Sequence, residues 1–238
     1  MRTDLLEDAL RTGPKFIYVL PNFQNPTGTT LPLERRMKLI ELADRYGVPI
    51  IEDDPYGQLR YEGEDIPSVE ILDSRMREQN GTYTGNVIYL STFSKILAPG
   101  LRLAWVVAPD NVIHKLALAK QGTDLNTSTF NQIVAHEVGQ HGFIDRHVEM
   151  MRKVYLERRN AMVDSLEENM PEGVSWTRPQ GGLFLWVTLP EPFNSTELLP
   201  QVIEDNVAYV PGEFFHADGT GKNTMRLNFS YCSPEKIN

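Results

Sequence analysis

Residues 16–54, FIYVLPNFQNPTGTTLPLERRMKLIELADRYGVPIIEDD, decide the fold. The apolar run at 16–20 is stopped by Pro21, and a polar, turn-rich stretch, NFQNPTGTTL, follows it. Leu33, Met37, Ile40 and Ala43 then recur at helical spacing from just after Pro32, and Gly47 is placed to cap the helix at its C-terminus. A second buried run occupies 48–51. Strand, helix and strand in this order predict a βαβ unit, whose two strands must lie parallel because a helical crossover joins them.

Working outward, residues 87–90 form a third apolar run. The Pro99-Gly100 pair has the composition of a tight turn, and 101–108 reads as a further strand. The back half differs in texture. A helix is predicted over 143–169 from apolar residues at 144, 148, 151, 155 and 162, with Pro171 and Gly173 closing it. Alternating runs at 183–189 and 225–230 flank a predicted helix near 196–205, an α+β layout. A domain boundary is therefore expected between 115 and 150.

Composition narrows the function classes. With 23 basic against 32 acidic residues in 238, the net charge is −9, which disfavours a broad grip on a phosphate backbone, so no nucleic-acid partner is expected. The single cysteine, Cys232, rules out a disulfide framework and suits a reducing compartment. No apolar stretch is long enough for a membrane span, and MRTDLLEDAL carries acids where a signal peptide needs an apolar run. The expectation is a cytoplasmic chain with no membrane partner. Asn-X-Ser/Thr sequons at Asn80, Asn126, Asn194 and Asn228 then read as chance matches.

In open α/β sheets ligands bind beyond the carboxyl ends of the strands. After the first run comes Asn25-Pro-Thr-Gly28, after the second Glu52-Asp53-Asp54-Pro55-Tyr56, and after the third Ser91-Thr92-Phe93-Ser94-Lys95. Singly these are ordinary: a solvated lysine, a turn, a helix cap. Together on one predicted rim, a lysine and a carboxylate suit a Schiff-base site around a small ring. There the amine condenses with an aldehyde and the carboxylate keeps a pyridine nitrogen protonated so that the ring takes up electrons.

The ordered strings PNFQNPTGTTLPLERR, IEDDPYGQLRY, STFSKILAPGLRLAW, PQGGLFLW, VPGEFF and MRLNFS resemble the class I/II aminotransferases of the fold-type I pyridoxal-phosphate enzymes. The likeness runs from about Gly13 to Lys236. It is nearest to the branch holding 2-aminoadipate and kynurenine aminotransferases and the aminotransferase-like half of GntR-type transcription regulators. The resemblance implies an α/β fold. A partial large domain with a mostly parallel sheet would span 14–125, connecting helices 126–150, and a smaller α+β C-terminal domain 151–238.

It further implies that Lys95 bonds covalently to pyridoxal 5'-phosphate and moves the proton between the substrate Cα and the cofactor. Asp53 would pair with the ring nitrogen, and Asn25 and Tyr56 would hydrogen-bond the ring hydroxyl oxygen. Thr92, Ser94 and Arg102 would hold the phosphate, the arginine by its planar fork. Arg226 would clamp the substrate α-carboxylate, and its alternation with Met225 and Leu227 places it on a polar strand face. The implied partners are an α-amino acid, a 2-oxo acid and, for a full-length member, a second copy in a homodimer.

Other motifs fail on spacing. His136-Glu137 resembles the start of a zincin helix, but position 140 is Gln140 and the second histidine is His141, so no metal site is expected. Thr92 stands where a penicillin-binding SxxK needs serine, and no Lys-Thr-Gly is present. Gly219-Thr-Gly221 is too short for a dinucleotide loop.

Family members carry a substantial segment before the Asn-Pro-Thr-Gly region. It supplies strands, a phosphate-binding helix N-terminus and a ring-stacking aromatic, whereas this chain begins only 24 residues before Asn25. Either the chain is a fragment or Met1 starts a shortened protein, and by itself it is expected to be a poor catalyst. Three functions stay open: an aminotransferase with ping-pong half-reactions, the effector-sensing domain of a GntR-type regulator, and a decayed paralogue that only binds.

Overall fold

The computed structural model describes residues 1–77 and 83–237, so the Asn80 sequon lies outside the described residues. The chain divides into two compact units. The first comprises Met1–Pro21, Leu31–Gln58 and Glu64–Glu149; the second comprises Asn22–Thr30, Leu59–Gly63 and Met150–Asn238. No helix among the described residues is long and apolar enough to cross a membrane.

In chain order the elements are α1 (Leu6–Arg11), β1 (Ile17–Val19), α2 (Leu33–Tyr46), β2 (Ile50–Asp53), α3 (Val69–Met76), β3 (Val87–Thr92), β4 (Ala104–Val107), α4 (Asp110–Thr123), α5 (Thr129–Gly139) and α6 (Phe143–Asn169). Then come β5 (Ser175–Trp176), β6 (Phe184–Thr188), α7 (Ser195–Glu204), β7 (Val210–Pro211), β8 (Thr224–Asn228) and α8 (Pro234–Ile237). The first unit holds a sheet of order β1-β2-β3-β4, parallel between β1, β2 and β3. This is the expected βαβ arrangement, and Gly47 closes α2 at φ 64° as expected.

The predicted strand over 101–108 is shorter and opposite in sense. A 3-10 turn takes Pro99–Leu101, Arg102 adopts a left-handed conformation, and β4 runs antiparallel to β3. So short a return leaves no room for the crossover that a parallel strand requires. Similarly, α5 ends at Gly139 and His141 sits at a kink with φ 59°, so His136 and His141 lie on different elements rather than on two faces of one helix.

One face of this sheet packs on α2 and α3. Val19, Ile50 and Val87 meet Leu39, Ile40, Leu42, Ala43, Val69 and Leu72 in one core. Two fully buried ionisable side chains join it, Arg36 and Glu52. Arg36 donates to the carbonyls of Leu31 (2.9 Å), Pro67 (2.9 Å) and Pro21 (3.3 Å). Glu52 accepts the backbone N–H of Val69 at 2.8 Å and of Glu70 at 2.9 Å, satisfying two amides of the first turn of α3.

The second unit holds an antiparallel sheet of order β5-β6-β8-β7. Leu185, Val187, Met225 and Leu227 pack with Val163 and Leu166 of α6.

Glu52 gives the fold a pH signature. Burial pushes its carboxyl up to about 7 from 4.5, against the two amide donors and the Arg36 guanidinium. The folded chain thus keeps a proton that the unfolded chain releases. The linked stability is complete below pH 4.5 and lost as pH rises through about 7. Across that window the stability of the wild type relative to Glu52→Gln, read from urea unfolding, is expected to fall by about 3 kcal/mol. A difference that stays flat would show that Glu52 does not carry the proton.

Candidate functional site

Six of the eight residues singled out in the sequence lie in the first unit, where the carboxyl ends of β2 and β3 meet the entry to β4. Asp53 ends β2 and lies beside Leu90 in the register; Thr92 ends β3 opposite Ala104. Because side chains alternate along a strand, Asp53, Leu90 and Thr92 share one sheet face. Ser94 and Lys95 follow in a 3-10 turn, both half-buried. The turn is capped by Thr92, whose Oγ1 accepts the Ser94 N–H at 3.0 Å and donates to the Leu103 carbonyl at 2.9 Å. That second bond ties the lysine turn to the segment carrying Arg102.

Arg102 is exposed and holds φ 55°, a region that a non-glycine residue adopts at a cost, and its Nη1 donates to the Pro99 carbonyl at 3.1 Å. Tyr56 is buried just beyond β2.

The adjacent aspartates part company. Asp54 Oδ2 accepts from the Tyr89 phenol at 3.3 Å, and its carboxylate fills the space where a Cβ on Gly57 would stand, 2.3 Å from Oδ2. Asp53 Oδ2 instead accepts from the Tyr18 phenol at 2.5 Å. Burial first, then the hydrogen bond to Asp53 and its charge, push the Tyr18 phenol well above its ordinary value, so it remains a donor. Sequence reading missed Tyr18. Its only signal was a polar tip in an apolar run, which carries no information about a partner on the next strand.

The other two residues, Asn25 and Arg226, lie in the second unit and meet there: Arg226 Nη1 donates to Asn25 Oδ1 at 2.7 Å. The polar face expected around Arg226 is instead aromatic. Its guanidinium lies over the Phe184 ring at 4.2 Å and the Phe215 ring at 5.2 Å, and Trp186 meets Phe215 edge-on at 5.8 Å. The reason is register. Phe184 and Trp186 on β6 pair with Asn228 and Arg226 on β8 and project from the same face, which alternation within β8 alone does not reveal. Rings over the guanidinium leave its N–H groups to bond edgewise, the approach that suits a planar carboxylate.

Asn25 is held by a compact loop. Gln24 N–H donates to the Thr29 carbonyl at 2.8 Å, Gly28 N–H to the Gln24 carbonyl at 2.6 Å, and Thr177 Oγ1 to the Thr27 carbonyl at 2.9 Å.

Comparison with known proteins adds an independent line. The family model for aminotransferase class I and II matches residues 1–238. The aromatic-amino-acid aminotransferase 1 of Thermococcus litoralis is 46% identical over 243 residues, taking in 100% of this chain and 56% of its own length. The 2-aminoadipate transaminase of Thermus thermophilus is 42% identical over 235 residues, 98% of this chain and 57% of its own. The crystal structure of Pyrococcus horikoshii kynurenine aminotransferase superposes with a TM-score of 0.92 at 46% identity, covering 100% of this chain and 58% of that one. A helix-turn-helix transcriptional regulator of Bacillus subtilis also matches, at 34% identity over 93% of this chain and 43% of its own. The chain thus spans a little over half the length of the enzymes that it matches.

Gly28 tests how tightly the Asn25 loop is seated. At φ +67° a Cβ there would stand 2.5 Å from the Phe184 carbonyl oxygen and 3.0 Å from Pro179 Cβ. Gly28→Ala is expected to cost roughly 2 to 4 kcal/mol in urea unfolding, from backbone strain plus the clash. A loss within about 0.5 kcal/mol, the range of an ordinary surface change, would show that the loop yields freely.

Proposed function

The chain belongs to the class I and II aminotransferases, and from that membership we propose that it carries the lysine-bearing part of a pyridoxal-phosphate-dependent enzyme. The reaction moves an amino group between an α-amino acid and a 2-oxo acid in two half-reactions. One observation carries the proposal: a carboxylate, two hydroxyls, a lysine and a guanidinium are set along one sheet edge by the bonds that join β2, β3 and the Arg102 segment. That donor set fits the group. The amine suits the aldehyde, the hydroxyls and guanidinium suit the phosphate, and the carboxylate suits the ring nitrogen.

Pyridoxal phosphate, when bound, supplies an electron sink for the pair left as the substrate Cα loses its proton. The chain's residues do the rest. Lys95 Nζ would hold the cofactor between turnovers and, once freed by substrate, would carry the proton from Cα. Asp53 would set a negative charge against the protonated ring nitrogen. Ser94 and Arg102 would donate to phosphate oxygens, Thr92 would join them by turning its hydroxyl hydrogen away from the Leu103 carbonyl, and Tyr56 would donate to the ring hydroxyl oxygen. Asn25 does so through its amide N–H, its Oδ1 being engaged by Arg226. Arg226 takes the α-carboxylate in its fork, and the rings over its faces limit the directions from which the substrate enters. Among amino donors the aromatic and 2-aminoadipate classes are favoured, on the names of the similar enzymes. A homodimer in the cytoplasm belongs to the same proposal.

Two measurements on the full-length protein test it. Borohydride reduction followed by peptide mass mapping is expected to place a pyridoxyl group on Lys95; an adduct elsewhere with Lys95 unmodified refutes the assignment. Arg226→Lys keeps the charge and loses the fork. The second-order rate constant with an amino acid is therefore expected to fall by about two orders of magnitude while the Lys95 adduct still forms. An unchanged constant excludes Arg226 from carboxylate binding.

A further inference from the structure

Tyr18 belongs to no motif in the sequence, yet it makes a direct bond to the central carboxylate of the site. In the parallel register it lies beside Ile51, two residues before Asp53, so both side chains project from the same face of the sheet. The 2.5 Å separation between its Oη and Asp53 Oδ2 is at the short end for a hydroxyl donating to a carboxylate. Tyr18 is 55% exposed among the described residues, and the contact that engages its polar tip is the bond to Asp53.

A carboxylate turns readily about its Cβ–Cγ bond, and anchoring one oxygen fixes the direction in which the other points. The choice of donor also matters. An arginine or lysine would orient the carboxylate equally well but would bring a positive charge to compete with a protonated ring for it. A phenol orients without competing.

Resting on the function proposed above, we infer that Tyr18 is a positioning residue: its hydroxyl sets the rotation of the Asp53 carboxylate, and so aims it at the cofactor's ring nitrogen. Partial burial and then the Asp53 carboxylate push the phenol's titration well above its ordinary range, so that donor keeps its proton through the working range of an enzyme. Ile51 and Leu90, which share the face with Tyr18 and Asp53, are aliphatic and leave this orienting task to the phenol.

The test uses the full-length holoprotein with Tyr18→Phe, Asp53→Asn and the double variant. Three quantities are read: the dissociation constant of pyridoxal phosphate from tryptophan fluorescence, the pH midpoint of the bound cofactor's absorbance, and kcat and KM separately. Tyr18→Phe keeps the ring, so its thermal midpoint is expected to match the wild type. Its cofactor affinity should fall about tenfold, the scale of one charge-assisted hydrogen bond. The absorbance midpoint should shift, and kcat should fall with KM for the amino acid held. In the Asp53→Asn background Tyr18→Phe is expected to add nothing, because the effect passes through the carboxylate.

If Asp53→Asn is damaging but Tyr18→Phe leaves affinity and absorbance midpoint unchanged, the inference alone is overturned. It is equally overturned if Tyr18→Phe costs as much in the Asp53→Asn background as in the wild type. If Asp53→Asn itself changes neither affinity nor midpoint, the role of Asp53 in the proposed function fails and the inference falls with it.

Discussion

A guanidinium wholly withdrawn from water organises the first unit. Arg36 reaches three backbone carbonyls that lie far apart in sequence: Pro21 just past β1, Leu31 at the approach to α2, and Pro67 before α3. Burying an arginine without partners would be prohibitive, so the chain folds only where those carbonyls converge. Glu52 imposes the matching condition from β2, since its two oxygens are met by the first amides of α3. With Glu52 turned into the core, alternation turns Asp53 outward to the opposite face. The placement of Asp53 thus depends on two buried side chains, Arg36 and Glu52, that pack away from it on the other face of the sheet.

Much of this was legible from local sequence. α2 showed an apolar stripe between Pro32 and Gly47, and α6 was found over its full length, because strong periodicity and a clear stop leave little choice. α4 was not singled out although Ile113, Leu116 and Ala117 recur at helical spacing, and none of its residues is buried among the described ones. α3 is short, and part of its support comes from Glu52, which is distant in sequence. The reversed direction of β4 and the left-handed Arg102 were hidden because a run of apolar residues states extension and not sense.

The same division holds within the site. Residue types and spacing pointed to a lysine and a carboxylate, since those follow predicted strands within short stretches, and the family resemblance added the phosphate donors. Tyr18 and the rings around Arg226 are relations between neighbouring strands, and such relations depend on register. Phe184 and Phe215 were in plain view within PQGGLFLW and VPGEFF, but only pairing shows that both cover one guanidinium.

The bond between Arg226 and Asn25 spans 201 positions of chain. A ribosome adding roughly 5 to 20 residues per second needs on the order of ten to forty seconds to separate the birth of its two ends. Throughout that interval the Asn25 loop has been made while the strand that will seat its amide has not. Loops closed over such distances form late, after local helices and neighbouring strands have settled. The nascent chain therefore passes through a period in which the lysine turn exists and the bond between Arg226 and Asn25 does not. For that period the Asn25 loop stands without the arginine that later engages its amide oxygen.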